Sequence, residues 1–554
     1  MAKQRSKKQT GKSVLQSNGS AAISLNNAAE VEAAEKTAGP VITIKFKYLA
    51  IVAYLYMVVP ILIFFVSWLR WYVGFPMAII LSYGLYYLLK NNYIQNKETI
   101  SFSRMTIIIC AIILFAFLFF TGQGGFFFQY SDNHTRNAIF RDLVNFQWPV
   151  IYPKTGNALV YYLMHWIVPA LFGKVFNHSF LIARIALLIW TYVGLILAIL
   201  LICFFLKIKT SKQIGIVIAI FIAWGGVNII GGIISNVFDL TTFSLNQYGW
   251  WTNFSINGQG YGFMFRSNCD QLASVYNQTI VPWIAIQLML KNPKISTFAF
   301  LGLCVFPYAP LPFVGLVIIM MVYAFMYCRK QVKVRAYLQI IKEVFSIPNL
   351  SAVLSIFIVF VLYFRSNNTA NTLALYIPFN KFNFISMAIL LLFYILQFGL
   401  FVLFIKNDHR RDPLYLTICI SMIIIPLIKL GPMGDFCWNV SVPAYYILMI
   451  LVMKYIFSNT NTVLHNKNQH KVLVVNYNVI ALIICLTFSA LNSISQIGFG
   501  FKIAYEEKTF NLMCDNTKTL SDKNIGDYCP DTILNNYLVP NPESKAFYKY
   551  LARK

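Results

Sequence analysis

Long apolar runs alternate with short polar stretches along almost the whole chain, and the polar stretches are mostly basic. A helix needs about 20 apolar residues to cross the hydrocarbon of a bilayer. Runs that approach or reach this length fall at residues 48–69, 71–89, 105–121, 181–206, 214–235, 279–290, 296–306, 313–328, 350–364, 383–405, 414–430, 442–456 and 472–492. Each is predicted to be a transmembrane helix, so an all-α polytopic membrane protein with about 13 spans is expected. Pro307, Pro310 and Pro312 predict a turn between two of these spans. The first 46 residues break the pattern. They carry Lys3, Arg5, Lys7, Lys8 and Lys12, then a stretch rich in Ser, Ala and Asn. A disordered basic cytoplasmic tail is expected there, with no cleavable signal peptide.

One run, residues 158–173, fits two descriptions: a span, or a helix lying in the membrane interface. Charge separates them, because basic loops stay on the cytoplasmic side. If the run spans, Lys207, Lys209 and Lys212 face outward and every later loop inverts. If it does not, the basic loops at 207–212, 291–294, 329–342, 406–411 and 467–471 all face the cytoplasm. The run is therefore read as a juxtamembrane helix with Pro169 near its end. The N-terminus then lies inside and the C-terminus outside. The organisation that follows is a tail over 1–46, a transmembrane domain over 47–495 with large outer loops at 122–180 and 236–278, and a small extracytoplasmic segment over 496–554.

Composition agrees with the pattern. Hydrophobic residues make up 58 % of the 554 and charged residues 12 %, against roughly 25 % charged in ordinary soluble proteins. A soluble enzyme, a disordered chain and a coiled coil are excluded. The formal net charge of +26 would suggest nucleic acid in a soluble protein. Here the excess sits in the tail and in loops between spans, where it fixes topology and meets membrane lipids, so no nucleic-acid partner is expected. No Asp or Glu falls inside a predicted span, which argues against a proton relay or a cation-coupled transporter. Of the 10 cysteines most lie in spans. Cys514 and Cys529 lie in the outer tail, where a disulfide is feasible in an oxidising compartment. No Cys and His set has zinc spacing.

The scarce acids gather in the outer segments. A helix from about Asp132 puts Ile139, Leu143 and Phe146 on one face, free to lie on the bilayer surface, and Asp132 and Arg136 on another. Asp132 is either a helix cap or a general base, and Arg136 and Arg141 either interfacial anchors or a phosphate grip. His134 and Asp142 are their neighbours. In the second outer segment Trp250 and Trp251 suit either stacking on a sugar or anchoring at headgroup level. Arg266, Asn268 and Asp270 precede a span, placed to point into an outer cavity. Asp435 lies in a short outer loop at the mouth of the bundle.

These residues resemble the GT-C superfamily of integral-membrane glycosyltransferases, particularly bacterial enzymes of envelope polysaccharide assembly. The similarity rests on Asp132 early in the first large outer loop, on surface-lying helices there, and on Trp148-Pro149-Val150 with Tyr161-Tyr162. It extends to Arg266-Ser267-Asn268 through Asn277-Gln278, to Gly434-Asp435-Phe436 with Ser441-Val442-Pro443, and to the ending Phe547-Tyr548-Lys549-Tyr550-Leu551. It covers most of the chain after about Met105. Where an Arg is expected between Asp435 and Ser441, this chain has Trp438 and Asn439, and Arg266 is the candidate substitute.

The resemblance implies transfer of a sugar from a polyprenyl-phosphate donor to a glycan or lipid-glycan acceptor outside the cytoplasm, in cell-envelope assembly. Asp132 would activate the acceptor hydroxyl in an inverting single displacement. Arg136, Arg141 or Arg266 would stabilise the leaving phosphate. No nucleotide-sugar site is evident. Some relatives use a divalent metal ion, for which no ligand cluster is readable here. Two rivals predict different behaviour: an O-antigen-type polysaccharide polymerase or ligase, which needs no catalytic Asp, and a transporter of lipid-linked sugar, which makes no new bond.

Overall fold

Apolar runs of this length leave no unpaired backbone in a bilayer only if they fold as helices. The computed structural model describes residues 41–130, 132–230, 255–256, 259–260, 263–367, 375–376, 384–430, 434–459, 463–465, 471–473, 476–514 and 536–554. Among these residues nine helices are long and apolar enough to cross a membrane, and three shorter apolar helices accompany them. The protein is an all-helical polytopic membrane protein. Trp250, Trp251 and Cys529 lie outside the described residues, and with them the sugar-stacking pair and the disulfide with Cys514.

The chain opens with a strand β1 (Val41–Lys45), then α1 (Phe46–Trp68), α2 (Trp71–Asn92), a strand β2 (Thr99–Ser103) and α3 (Arg104–Phe120). The long segment after α3 holds α4 (Asn133–Asn145), a short strand β3 (Ala158–Leu159) and α5 (Met164–Val175). There follow α6 (Phe180–Leu206), α7 (Ser211–Ala223), α8 (Asn268–Ser274), α9 (Ile280–Lys291), α10 (Phe298–Val305) and α11 (Pro310–Lys333). The proline cluster turns the chain between α10 and α11, as predicted. Next are α12 (Tyr337–Val344), α13 (Ile347–Ala352), α14 (Ile358–Arg365), α15 (Phe384–Tyr394), α16 (Leu400–His409) and α17 (Pro413–Ile424). The chain closes with α18 (Asp435–Val440), α19 (Val442–Asn459), α20 (Tyr477–Glu507) and a strand β4 (Leu538–Val539). Several helices start on a side-chain cap, at Ser103, Ser179, Thr210, Asp412 and Asn476.

Contacts sort the helix ends into two groups. At one end β1 and β2 pair antiparallel, the Glu98 carboxylate meets Lys291 at 2.5 Å, and Lys294 Nζ donates to Asn92 Oδ1 at 2.9 Å. The Thr106 and Ser211 hydroxyls share a hydrogen bond of 2.7 Å there. At the other end β4 pairs antiparallel with β3, and Arg70 donates to the Lys549 carbonyl at 2.8 Å. Asn367 Nδ2 donates to the Asn536 carbonyl at 2.6 Å there, and the Tyr161 amide donates to the Tyr363 hydroxyl at 3.2 Å.

Three expectations change. The apolar face of α4 does not lie on the bilayer. Ile139 and Leu143 are fully buried, because α5 and α6 cover them. Residues 158–173 are not one helix. Their first part is β3, drawn out by pairing with β4, and Pro169 falls inside α5 rather than near its end. α5 does not lead away from this segment: β3 before it pairs with β4, and Lys174 in its last turn donates back to the Phe146 carbonyl at 2.5 Å. The boundary placed after residue 495 falls inside α20, whose 31 residues span about 46 Å. The excess projects beyond the bundle, where Phe499 packs on Phe128 and Phe501 on Phe127.

Candidate functional site

The end of the bundle that carries β3 and β4 holds most of the acids singled out from sequence. Its floor is α8. A seven-residue helix leaves its last carbonyls without intrahelical partners. Three side chains supply the donors. Gln123 donates to the Leu272 carbonyl, Asn133 to that of Ala273, and Arg136 to that of Ser274. The cation thus sits on the negative end of the α8 dipole. The same guanidinium lies 3.8 Å from the Asp132 carboxylate, one turn back on α4. Arg136 is 10 % exposed and Asp132 59 %, so the pair presents its carboxylate outward and keeps its cation fixed. Asp132 is the cap residue of α4 in position, but its side chain makes no cap hydrogen bond.

Beside this pair stand tyrosines. Burial pushes the Tyr161 hydroxyl well above its usual pKa, the adjacent Tyr162 adds to the rise, and Arg136 opposes it. Burial alone would lower Arg136, but Tyr161 and then Asp132 outweigh it and hold the guanidinium above its ordinary value. Tyr537 comes from the C-terminal segment, its ring 4.8 Å from that of Tyr161.

Arg266 forms the opposite wall. Its Nη1 lies 2.8 Å from Asp270 Oδ2, and both side chains are buried. Asp270 also accepts from the Ser274 hydroxyl at 2.7 Å, and its amide is capped by Ser267 at 3.0 Å. The guanidinium of Arg266 stacks over Trp438 at 5.1 Å. Trp438 stands where an Arg was expected, and Arg266 reaches the same place from another segment. Asp435 joins the two walls. Its side chain is accessible, yet surrounding protein desolvates it and raises its carboxyl pKa. Arg266 opposes that rise, Asp132 adds to it, and Arg136 opposes it. Asp435 thus lies within electrostatic reach of Arg266, Asp132 and Arg136, and the space these four side chains share is termed the recess.

The shift has a testable sign. With its pKa raised, folded Asp435 holds a proton that the unfolded chain has released, so stability falls as pH rises from 3.8 through the raised value. Below that window the penalty is absent, and above it the penalty is complete. Asp435→Asn should flatten this part of a melting-temperature profile against pH, and a profile that keeps its slope would place Asp435 in free solvent.

Five of the residues singled out from sequence fall elsewhere. Asn268 is fully buried and donates to the Phe221 carbonyl at 2.9 Å, so it ties α8 to α7 instead of facing a cavity. Asp270 is turned inward by the Arg266 pair, as above. Arg141 lies five residues from Arg136, about 140° around α4, and stacks on Phe180 at 4.7 Å, away from the recess. His134 is half-buried on α4, two residues from both Asp132 and Arg136 and so about 160° around the helix from them. Asp142 is fully buried and accepts from the Tyr152 hydroxyl at 2.6 Å, which makes it a core group. The recess thus unites Asp132, Arg136, Arg266 and Asp435, to which the fold adds Tyr162, Trp438 and Tyr537. Tyr537 left no local signal, since only the pairing of β3 with β4 brings it there. Among the described residues, no group of three or more His, Cys, Asp or Glu side chains is placed to hold a metal ion. No family model, curated protein or solved structure matches the chain.

Proposed function

We propose that this chain is an integral-membrane glycosyltransferase that moves a sugar from a polyprenyl-phosphate donor to an extracytoplasmic glycan or lipid-glycan acceptor, in cell-envelope assembly. The observation that carries the reading is the convergence of Asp132, Asp435, Arg136 and Arg266 on one recess at one end of a membrane bundle. A lipid-linked phosphate is held at the membrane edge, at the level such a recess opens. Asp132 is the exposed carboxylate, with its neighbour Arg136 anchored on α8. In this reading Asp132 takes the proton of the acceptor hydroxyl. The acceptor oxygen attacks the anomeric carbon from one side, and the bond to the phosphate oxygen breaks on the other, inverting the centre. Arg266 faces the leaving polyprenyl phosphate, its direction set by Asp270 and Trp438. The tyrosines and Trp438 offer ring faces to a sugar.

The same reading places the protein in the plasma or inner membrane with about 13 crossings. Contacts at helix ends support it: Asn92 meets Lys294, Thr106 meets Ser211 and Glu98 meets Lys291 at the end marked by β1 and β2, while Arg70 and Asn367 meet the C-terminal segment at the other. With the basic loops inside, the recess and the C-terminus lie outside. A periplasmic-type reporter fused after Lys554 is expected to be active, and an inactive one would invert the topology. Function is tested by incubating membranes with a polyprenyl phosphate carrying labelled sugar. Label leaving the lipid for a new glycosidic product is expected. Label that crosses the bilayer still on its lipid would identify a transporter.

A further inference from the structure

The opposite end of the bundle carries a second feature. Helix α12 follows the apolar helix Pro310–Lys333, and the chain leaves the helical conformation again at Phe345 and Ser346 before α13. Residues 347–365 are about 28 Å long and can cross without it, which leaves α12 at the membrane surface. It buries none of its residues. At 100° per residue, Tyr337, Leu338, Ile341, Val344 and the following Phe345 share an arc of about 120°. All five are exposed, Leu338 at 73 % and Phe345 at 62 %. The other arc holds Gln339, Lys342 and Glu343 with the half-buried Ile340, and Ser346 lies just beyond. These polar side chains line one side of a recess of about 560 Å³, with Phe345 at its edge and Asn91, Asn92 and Lys294 from neighbouring segments across it.

This is the reverse of a helix on a water-soluble surface, which turns its apolar face to the core. An apolar face turned outward at the membrane surface meets acyl chains. Charge indicates which lipid. From Arg329 to Glu343 the chain carries Arg329, Lys330, Lys333, Arg335 and Lys342 against a single acid, Glu343, whose carboxylate accepts from the Gln339 amide at 3.0 Å. Lys342 stands at the border between the two arcs, and Lys294, oriented by Asn92, stands across the recess. Basic clusters beside a membrane helix attract anionic lipid.

We propose that α12 and the recess beneath it hold an anionic phospholipid of the surrounding leaflet. Its phosphate sits between Lys294 and Lys342, and its acyl chains run along Leu338, Ile341 and Phe345. The site is far from the proposed catalytic recess and independent of it.

The test uses the full chain, purified in detergent and equilibrated with equal amounts of phosphatidylglycerol and phosphatidylcholine. Bound lipid is counted by native mass spectrometry. The parent protein is expected to retain phosphatidylglycerol in preference. Lys294→Ala with Lys342→Ala should lower that retention about tenfold, as expected for two basic contacts at a membrane surface. Both lysines are exposed, so the variant should fold, and size-exclusion chromatography checks that it does. Lys47→Ala with Lys97→Ala, at the same end but outside the recess, should leave retention unchanged. Leu338→Gln with Ile341→Gln should lower it. Equal retention of the two lipids, or a double lysine variant that binds like the parent, would overturn the proposal. So would equal loss in the control, or displacement of the lipid by free glycerol phosphate, which would point to a soluble phosphate compound.

Discussion

Asp132→Asn is expected to reduce sugar transfer by about two to four orders of magnitude, the usual contribution of a general base. The substitution changes little else. Asn is isosteric with Asp, the Asp132 side chain makes no cap hydrogen bond, and Arg136 stays anchored on the Ser274 carbonyl. The Arg136 pair with Asp132 is long at 3.8 Å and its carboxylate is more than half exposed, so its loss should cost little stability. The loss should therefore appear in kcat with KM for the lipid donor nearly unchanged, measured with labelled donor in membranes matched for protein content. Asp132→Glu should recover part of the activity, since the base survives at a shifted position. A fully active Asn variant would remove Asp132 from the chemistry and favour a polymerase or ligase that works through arginine.

The largest effect on folding is expected at Asp270. Its carboxylate meets Arg266 at 2.8 Å and the Ser274 hydroxyl at 2.7 Å, in a place where both charged side chains are buried. Asp270→Asn leaves a buried guanidinium without its counter-charge, a change that costs about 3–5 kcal/mol. A lower melting temperature of the detergent-purified protein is the readout. The partner experiment separates the pair from its parts. Arg266→Met combined with Asp270→Leu removes both charges and should recover most of the melting temperature, because a buried pair is worth little net of desolvation. It should not recover transfer, since Arg266 is then missing from the recess. A double variant as unstable as Asp270→Asn would mean that the pair itself holds α8 in place.

The membrane helices were legible because the bilayer sets their length. An apolar run near 20 residues has few alternatives, and the proline cluster and the basic loops marked where runs end. The face a residue presents was less legible. Asp132 and Arg136 were paired from their spacing of four, and they do meet. Asp142 and Asp270 looked like members of the same acidic set, yet both are buried, one by Tyr152 and one by Arg266. No local pattern separates an acid facing a recess from one turned to a core partner, because the partner is supplied by tertiary contact. Arg266 is the opposite case. Its nomination rested on its place just before a span and on a missing Arg near Asp435, and its guanidinium stacks over Trp438. β3 was read as helix because its apolar run is ambiguous by itself. Only its pairing with β4, from nearly the other end of the chain, makes it a strand.

That pairing also orders events in time. Arg70 and Lys549 hydrogen-bond across 479 residues of sequence, and Tyr161 waits for Tyr537. Helices enter a membrane in the order of synthesis, and the segment that carries Asp132 emerges early. For most of translation its recess lacks a wall. Closing contacts so distant in sequence is slow, so the competent recess forms as one of the last steps of maturation, after the bundle itself is in the bilayer.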